Sequence, residues 1–338
     1  MKKVSVVILN WNGLEMLQRF LPGVVLCSQT DEIEVCVADN ASTDASCAWV
    51  RENFPGVRLI VLDQNFGFAD GYNRALQQVD SEYVVLLNSD VEVTPGWLEP
   101  MVAYMDVHPE VAACQPKLRS QRSKTAFEYA GAAGGFLDKY GYPFCRGRIF
   151  DVVEEDYGQY DTVSPIFWAS GAALFIRLKD YREVGGLDGR FFAHMEEIDL
   201  CWRLRSRGRG VICIPQSVVY HVGAATLKKE NPRKTFLNFR NNLLMLYKNL
   251  PEKDLSRVLF VRGLLDWMAM FVFLLKGELA NARAVMQARK EFHRLRPDFE
   301  ASRTECQSEA VAGLIPEKAD YSILWKFHVE NKKRYSAL

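Results

Sequence analysis

The stretch EYVVLLNSDVEV, at residues 82–93, constrains the fold of this chain more than any other. Five consecutive apolar residues stop at Asn88, Ser89 and Asp90. An apolar run this short, rich in Val and Leu and bounded by polar residues, is typical of a strand that is buried on both faces. The polar residues then lie at the carboxyl end of the strand. In an open parallel sheet, that end borders the crevice where ligands bind.

Three earlier apolar runs end in the same way. VSVVILN ends at Asn10, EIEVCVADN ends at Asp39 and Asn40, and VRLIVLDQN ends at Asp63 and Asn65. Segments of helical period separate the runs, and right-handed crossovers make such strands parallel. The sequence therefore predicts an α/β fold in which a mainly parallel sheet carries helices on both faces and gathers these polar residues at one edge. The alternative is that each Asn or Asp only ends a turn.

Composition narrows the class of protein. The 338 residues are 49% hydrophobic and 25% charged, as in ordinary globular proteins. Because the net charge is zero, we expect no nucleic-acid-binding surface over the whole molecule. The eight cysteines include no Cys-x-x-Cys pair, and the N-terminal apolar run is too short for a signal-peptide core. We therefore expect a reduced, cytoplasmic chain.

The loop DQNFGFADGYNRAL places Gly67 and Gly71 around a helix start that we predict near Asp70. Glycines at a helix N-terminus can present free N–H groups to a phosphate or a sugar hydroxyl. The chain contains no G-x-G-x-x-G, so the usual dinucleotide fingerprint is absent. Glycines that serve only a tight turn are the alternative. Residues 119–163, rich in Gly and without a lasting period, are predicted to form long loops over the sheet edge.

A second informative region begins at FWASGAALFIRL, predicted as a strand. The following helix carries Glu196, Glu197 and Asp199 in its first turn, where the helix dipole favours each acid by about 0.3–1 kcal/mol. A solvated acidic helix start, with Asp199 paired to Arg203 at i,i+4, is the alternative to a catalytic role. The next strand ends at His221, which becomes a third metal ligand if it lies beside Asp90 and a bound diphosphate.

From about residue 234 the pattern is helical. The apolar stretch from Val258 to Leu275 contains Arg262 and Asp266, and its uninterrupted part is nine residues, whereas a membrane span needs about 20. We therefore expect no span. Basic residues on the next helix suit anionic lipid head groups, which predicts peripheral contact with the inner face of the membrane. Packing against the catalytic domain, or against a second subunit in a homodimer, is the alternative.

Nine motifs, spread over about residues 4–250, together resemble the inverting glycosyltransferases of family 2 with the GT-A fold, in the rhamnosyltransferase-like branch that builds bacterial surface polysaccharides. They are SVVILNWNG, VADNASTD, NFGFADGYNRAL, LLNSDVEV, SGAALFIR, GGLDGRFF, MEEIDLCWR, YHVGAAT and FRNNLLML. The resemblance implies a catalytic domain at residues 1–245 and a C-terminal helical extension at residues 246–338.

The resemblance also implies roles for individual residues. Asp39 would bind the base or ribose of a nucleotide, and Asn88-Ser89-Asp90 would replace the family's Asp-x-Asp, with Asp90 on Mn²⁺ or Mg²⁺. Glu196-Glu197 would replace its Glu-Asp, with Glu197 as general base and one methylene longer than the usual Asp. The other expected nucleotide- or substrate-binding residues are Asn10, Asn12, Asn40, Ser42, Asn65, Gly67, Gly71, Asn73, Ser170 and Gly171.

The favoured hypothesis is a metal-dependent inverting glycosyltransferase that moves a sugar, rhamnose first, from a UDP- or dTDP-sugar to a glycan or polyprenol-linked acceptor. A sugar-nucleotide pyrophosphorylase would need a Gly-rich, Arg-bearing loop after the first strand, and NWNG is not such a loop. A non-catalytic subunit that binds a nucleotide sugar or glycan would be expected to lose Asp90 or the acidic cluster, and this chain keeps both.

Overall fold

Strands and helices alternate through the first quarter of the chain, as predicted. The computed structural model describes residues 1–223, 231–311, 313 and 315–338. The alternating elements are β1 (Lys2–Asn10), α1 (Leu14–Ser28), β2 (Ile33–Asp39), α2 (Ser46–Asn53), β3 (Arg58–Val61), α3 (Gly67–Gln77) and β4 (Ser81–Asn88). β1 pairs in parallel with both β2 and β4, and β2 pairs in parallel with β3. In register, Asn10 lies opposite Asp39 and Leu9 lies opposite Asn88, so the polar ends of these strands share one edge.

β4 lies inside the sheet because its side chains are apolar on both faces. Val84 and Leu86 enter one hydrophobic core, whereas Tyr83, Val85 and Leu87 enter the other. Alternating side chains of a strand point to opposite faces, so this run fills both layers between sheet and helices. The prediction of a strand buried on both faces is confirmed.

The sheet continues through the middle of the chain with mixed direction. The elements are β5 (Val91–Val93), α4 (Glu99–Val107), β6 (Val111–Ser120), β7 (Gly135–Leu137), β8 (Pro143–Cys145), β9 (Arg148–Ile149), β10 (Val152–Val153), β11 (Ser164–Pro165), β12 (Ala173–Arg177), α5 (Leu178–Glu183), α6 (Glu196–Ser206) and β13 (Gly210–His221). Within the described residues the main sheet has nine strands, in the order β11-β13-β6-β12-β4-β1-β2-β3, with β5 on β13. β12 is antiparallel to β4 and β6, so the sheet is mixed but mainly parallel.

The prediction that residues 119–163 form only long loops is wrong. β7 to β10 make a second, four-stranded antiparallel sheet. Its strands are two or three residues long, too short to display a period in the sequence. Phe144 and Ile149 of this sheet pack against Ile323 and Phe327 of the C-terminal tail.

The C-terminal part is helical, as expected from its sequence. It comprises α7 (Pro232–Asn249), α8 (Glu252–Leu275), α9 (Leu279–Leu295), α10 (Glu300–Ser308) and α11 (Ile323–His328). α7 continues across the expected domain boundary at residues 245/246, and the division of the chain into two domains stays a prediction.

The expectation that the apolar stretch of α8 is too short to cross a bilayer does not hold on length. α8 has 24 residues and, by length and composition alone, is apolar enough to span a membrane. The expectation depends on the uninterrupted run of nine residues, whereas the helix continues through Arg262 and Asp266.

Candidate active site

Asp90 and His221 meet where β5 pairs with β13. Asp90 lies in the turn between β4 and β5, directly before Val91, and His221, the last residue of β13, lies opposite Val91 in the antiparallel register. This pairing places imidazole Nε2 of His221 3.1 Å from Oδ1 of Asp90. Both side chains are buried. The sequence makes His221 a candidate metal ligand only on condition that it lies beside Asp90, and the folded chain meets that condition.

Glu128 lies on the other side of the same imidazole and was not anticipated. Its Oε1 is 3.3 Å from Nδ1 of His221, and its Oε2 accepts a hydrogen bond from the backbone N–H of Ala130. Burial opposes a charge on His221, but Asp90 and Glu128 outweigh it and raise the pKa of His221 to about 10. Burial likewise opposes the charge on Asp90, yet the hydrogen bond from His221 leaves the pKa of Asp90 lowered.

The geometry at Asp90 and His221 fits a divalent cation. Two ligands at right angles on one ion, with bonds of about 2.1 Å, lie about 3.0 Å apart. The 3.1 Å between Asp90 Oδ1 and His221 Nε2 is a hydrogen bond in this structure, and it is close to that separation, so an ion could take the place of the shared proton on a neutral imidazole. Among the described residues no group of three or more His, Cys, Asp and Glu side chains is placed to hold an ion. Mg²⁺ and Mn²⁺ sites with few protein ligands are completed by water and substrate phosphates.

Asp39 is held rigidly at the neighbouring strand end. Its Oδ1 accepts a hydrogen bond from Nδ2 of Asn10 at 2.9 Å, and its Oδ2 accepts one from the backbone N–H of Ser42 at 2.9 Å. Asn12, in the turn between β1 and α1, contacts the turn after β2, where its Oδ1 accepts from the backbone N–H of Thr43 at 2.7 Å. The four predicted residues Asn10, Asn12, Asp39 and Ser42 are therefore brought together. Asn10 Oδ1 is buried without a hydrogen-bond partner in the described structure.

The loop between β3 and α3 is joined to this group through Asn40. Asn40 Nδ2 donates to Oδ1 of Asn65 at 3.0 Å and to the carbonyl of Gly67 at 2.9 Å. α3 begins at Gly67, three residues before the predicted start. Gly67 has φ +74°, and a Cβ there would lie 2.9 Å from the ring of Phe192. A Cβ on Gly71 would lie 3.0 Å from Leu9, so both glycines serve close packing.

Asn73 is directed away from these residues. Its Nδ2 donates to the carbonyl of Leu187 at 2.7 Å, and its Oδ1 accepts from the hydroxyl of Tyr181 at 2.6 Å. The side chain of Asn73 therefore holds the turn after α5, and the structure does not bring it together with the other predicted binding residues.

Two of the three acids at the start of α6 are buried and Glu197 is half-buried, which contradicts the alternative of a solvated helix end. Glu196 is 5% exposed and Asp199 is fully buried. Burial, reinforced by the neighbouring charge of Glu197, raises the pKa of Glu196 well above its usual value, and burial also raises the pKa of Glu197. Oε2 of each glutamate lacks a hydrogen-bond partner among the described residues. Two carboxyl groups with raised pKa and a free oxygen are suited to proton transfer.

The carboxylate of Asp199 is occupied by contacts that hold two helices together. It pairs with Arg203 at 2.9 Å, as the i,i+4 spacing predicted, and also with Lys248 at 2.9 Å. Asn249 donates to its other oxygen at 2.7 Å. These contacts tie α6 to α7 and leave Asp199 no free oxygen for a substrate.

The turn before α6 is strained and is held by Asn241. Phe192, His194 and Met195 have φ of 68°, 71° and 74°, which are rare for residues other than glycine. Such strain persists only where surrounding contacts fix it, and it clusters at functional sites. Nδ2 of Asn241 contacts three carbonyl oxygens of this turn, those of Phe191, Ala193 and His194, at 2.8–2.9 Å. Asn241 belongs to the motif FRNNLLML, but nothing in that motif indicates a role for this residue.

The start of β12 connects the two halves of the site. The backbone N–H of Asn88 donates to the carbonyl of Ala172 at 3.0 Å. A Cβ on the preceding Gly171 would lie 3.7 Å from Cβ of Glu197. Ser170 is fixed through its backbone N–H, which donates to Oε1 of Gln115 at 2.9 Å. The strand end that leads to Asp90 and the helix start that carries Glu197 are therefore both close to the segment Gly171-Ala172.

This mixed sheet, with its acidic residues at one edge, defines a protein with the GT-A fold. The GalNAc-T7 structure with UDP, GalNAc and Mn²⁺ aligns at a TM-score of 0.60 and 13% identity, over 98% of this chain and 57% of that one. Staphylococcus aureus TarS 1–349 in complex with UDP-GlcNAc aligns at 0.56 and 16%, over 91% and 89%.

Sequence comparison gives the family. Residues 5–156, a little under half of the chain, match the model of glycosyl transferase family 2, so this part of the chain is a domain of that family and the protein is a glycosyltransferase. N-acetylglucosaminyl-diphospho-decaprenol L-rhamnosyltransferase of Mycobacterium tuberculosis is 26% identical over 219 residues, which cover 61% of this chain and 71% of the relative. Rhamnosyltransferase WbbL of Escherichia coli is 24% identical over 46% of this chain and 61% of its own length. The family and fold expected from the nine motifs are confirmed.

Proposed function

We propose that this glycosyltransferase moves rhamnose from a UDP- or dTDP-sugar to a hydroxyl of a polyprenol-linked glycan, with inversion at the anomeric carbon. The contacts of the segment Gly171-Ala172 carry this proposal. Ala172 bonds the strand end that leads to Asp90 and Gly171 lies beside Glu197, so a diphosphate site and a candidate base adjoin the same segment. Two similar proteins named as rhamnosyltransferases support the sugar. The name of one, which includes a diphospho-decaprenol, supports the acceptor.

The nucleotide is assigned to the edge formed by β1 and β2. Asp39 is oriented there by Asn10 and by the backbone of Ser42, so that a base or ribose meets a carboxylate already fixed in place. The diphosphate is assigned to the end of β4, beside Asp90. Mn²⁺ or Mg²⁺ held by Asp90 and His221 would neutralise charge on the departing diphosphate, and solved structures of this fold with Mn²⁺ support such an ion.

Glu197 is assigned as the general base. The acceptor hydroxyl gives its proton to the Glu197 carboxylate, while its oxygen forms a bond to the anomeric carbon. The bond from that carbon to the diphosphate oxygen breaks, and the nucleoside diphosphate leaves with the electron pair. No second carboxylate acts as nucleophile, so a single displacement inverts the anomeric centre. The raised pKa of Glu197 makes the ionised form a stronger base than an ordinary glutamate.

The experiment is a transfer assay with purified protein, a panel of nucleotide sugars and a synthetic polyprenyl-diphosphate acceptor, with Mn²⁺, Mg²⁺ or EDTA. We expect transfer of rhamnose, loss of activity in EDTA, and a product whose anomeric configuration is opposite to that of the donor. Retention of configuration would contradict the assigned mechanism. Undiminished transfer in EDTA would contradict the assigned metal dependence. Preference for another sugar would contradict the assignment of rhamnose as the transferred sugar. Binding of donor without any turnover would favour the alternative of a non-catalytic subunit.

A further inference from the structure

α8 has one buried face and one exposed face, and the exposed face is apolar. Leu255, Val258, Arg262 and Asp266 are buried against the protein. On the opposite side a stripe of six large apolar side chains is 53–72% exposed: Phe260, Leu264, Trp267, Met268, Phe271 and Leu275. Their spacing of three and four residues puts them on one side of the helix, along about 22 Å at 1.5 Å per residue. An apolar surface of this kind marks an interaction site.

The buried face of α8 fixes the helix to the protein. Arg262 donates to the carbonyl of Tyr140 at 3.1 Å and to the side chain of Asn242. Asp266 is fully buried and accepts from Arg289 of α9 at 2.7 Å. Turning α8 across a bilayer would expose these two charged residues to lipid, at a cost of several kcal/mol. These buried charges therefore favour an orientation in which α8 lies on the surface of a membrane and does not cross it.

The charges around the stripe indicate what kind of surface binds it. From Leu255 to Lys276 the sequence has one acidic residue, Asp266, and it is buried. Arg257 and Lys276 flank the two ends of the stripe and both are exposed, although Arg257 is paired with Asp254 at 3.0 Å. The neighbouring helix α9 adds two further exposed basic residues, Arg283 and Lys290. An anionic lipid surface complements both ends at once.

We propose that the exposed stripe of α8 docks this protein onto the surface of an anionic bilayer, with the helix axis in the interfacial plane. The six apolar side chains enter the boundary between head groups and acyl chains. Arg257, Lys276 and the exposed Arg283 and Lys290 of α9 remain at the level of the head groups. The inference rests on α8 and its neighbours, and it does not depend on the proposed donor or acceptor.

The test is flotation with vesicles of phosphatidylglycerol and phosphatidylethanolamine, with phosphatidylcholine vesicles as the neutral comparison, at low and high salt. We expect wild-type protein to float with anionic vesicles at low salt. The triple variant Trp267→Ser, Phe271→Ser, Leu275→Ser should lose at least about tenfold in partitioning, because three large apolar side chains no longer enter the bilayer. The variant Arg283→Glu, Lys290→Glu should lose the preference for anionic over neutral vesicles.

The matched control replaces three apolar residues of similar exposure elsewhere, Leu26→Ser, Val107→Ser and Val311→Ser. It should float like the wild type, and the thermal melts of both triple variants should match the wild type. Donor binding by the α8 variant should be unchanged, which separates failure of docking from failure of the proposed catalysis. Wild-type protein that ignores anionic vesicles at low salt would overturn the proposal. A wild-type dimer in sedimentation that the α8 variant converts to monomer, without vesicle binding, would assign the stripe to a second copy instead.

Discussion

Imidazole Nε2 of His221 lies 3.1 Å from Oδ1 of Asp90, although the residues are 131 positions apart in the chain. Antiparallel pairing of β13 with β5 produces this proximity, because His221 and Val91 are opposite each other. Glu128 contacts the other imidazole nitrogen at 3.3 Å. Two carboxylates thus fix the ring, and one of them lies where a nucleotide diphosphate is assigned.

Asp90→Asn should abolish Mn²⁺-dependent binding of the donor while the fold is retained, because the amide removes the charge that would hold the ion. Titration calorimetry with donor in the presence and absence of Mn²⁺ measures the effect. Glu92→Gln, which removes a carboxylate two residues further along β5, is the control and should bind as the wild type does. Undiminished Mn²⁺-dependent binding by Asp90→Asn would remove Asp90 from the metal site.

Glu128→Gln should weaken Mn²⁺ about 10–100-fold, since residues that orient a metal-binding histidine typically contribute that much to affinity. Electron paramagnetic resonance of free Mn²⁺ reads the affinity without any turnover. Glu155→Gln, which changes an exposed acid whose backbone pairs with Ala126, is the control. Equal Mn²⁺ affinity in Glu128→Gln and wild type would mean that Glu128 only stabilises the fold.

Glu196→Gln should stabilise the protein at pH 7.5 and have little effect at pH 4. Burial and the charge of Glu197 raise the pKa of Glu196 in the folded state, so wild-type stability falls as pH rises from the unfolded value of about 4.3 through the folded value. A neutral amide avoids that loss. Melting curves at the two pH values should show a rise of about 2–5 °C in Tm for the variant at pH 7.5 only. A lower Tm at pH 7.5 would mean that Glu196 is ionised and stabilising.

Asn241→Ala should lower kcat with little change in donor affinity, because the strained turn that precedes Glu197 loses three hydrogen bonds. Steady-state kinetics separates kcat from KM, and hydrogen exchange of residues 191–195 reports the turn directly. Thr235→Ala, on the same helix and bonded to Asn281, is the control. Normal kcat in Asn241→Ala, with faster exchange in the turn, would show that the turn does not position the base.

The sequence predicted the edge of the sheet well because strand endings are local signals. Apolar runs located Asn10, Asp39 and Asn88, and the rule that parallel strands share an edge brought them together. Glu128 and Asn241 escaped prediction since each acts through a contact between elements that are distant in the chain. The motif that contains Asn73 suggests substrate binding. Only the folded chain shows that the side chain of Asn73 is instead hydrogen-bonded to Leu187 and Tyr181.

The C-terminal helices illustrate a second limit. The sequence predicts that the basic residues of this region face lipid as one set: Arg283, Arg289, Lys290, Arg294 and Arg296. In the structure, however, Arg289 pairs with buried Asp266, and Arg294 pairs with Glu291. Residue type alone does not distinguish an arginine that faces solvent from one that neutralises a buried acid. The YHVGAAT motif ends at residues 224–226, which lie outside the described residues.

The central claim is that Glu197 is the general base, and transfer by Glu197→Gln under saturating donor tests it most directly. Loss of a general base should reduce turnover about 10²–10⁴-fold, while donor affinity and Tm stay near the wild-type values. Asp199→Asn serves as a comparison whose loss should appear in Tm, because Asp199 ties α6 to α7. A Glu197→Gln enzyme that keeps more than about a tenth of wild-type turnover would contradict the assignment, since even the smallest general-base effect is larger than that.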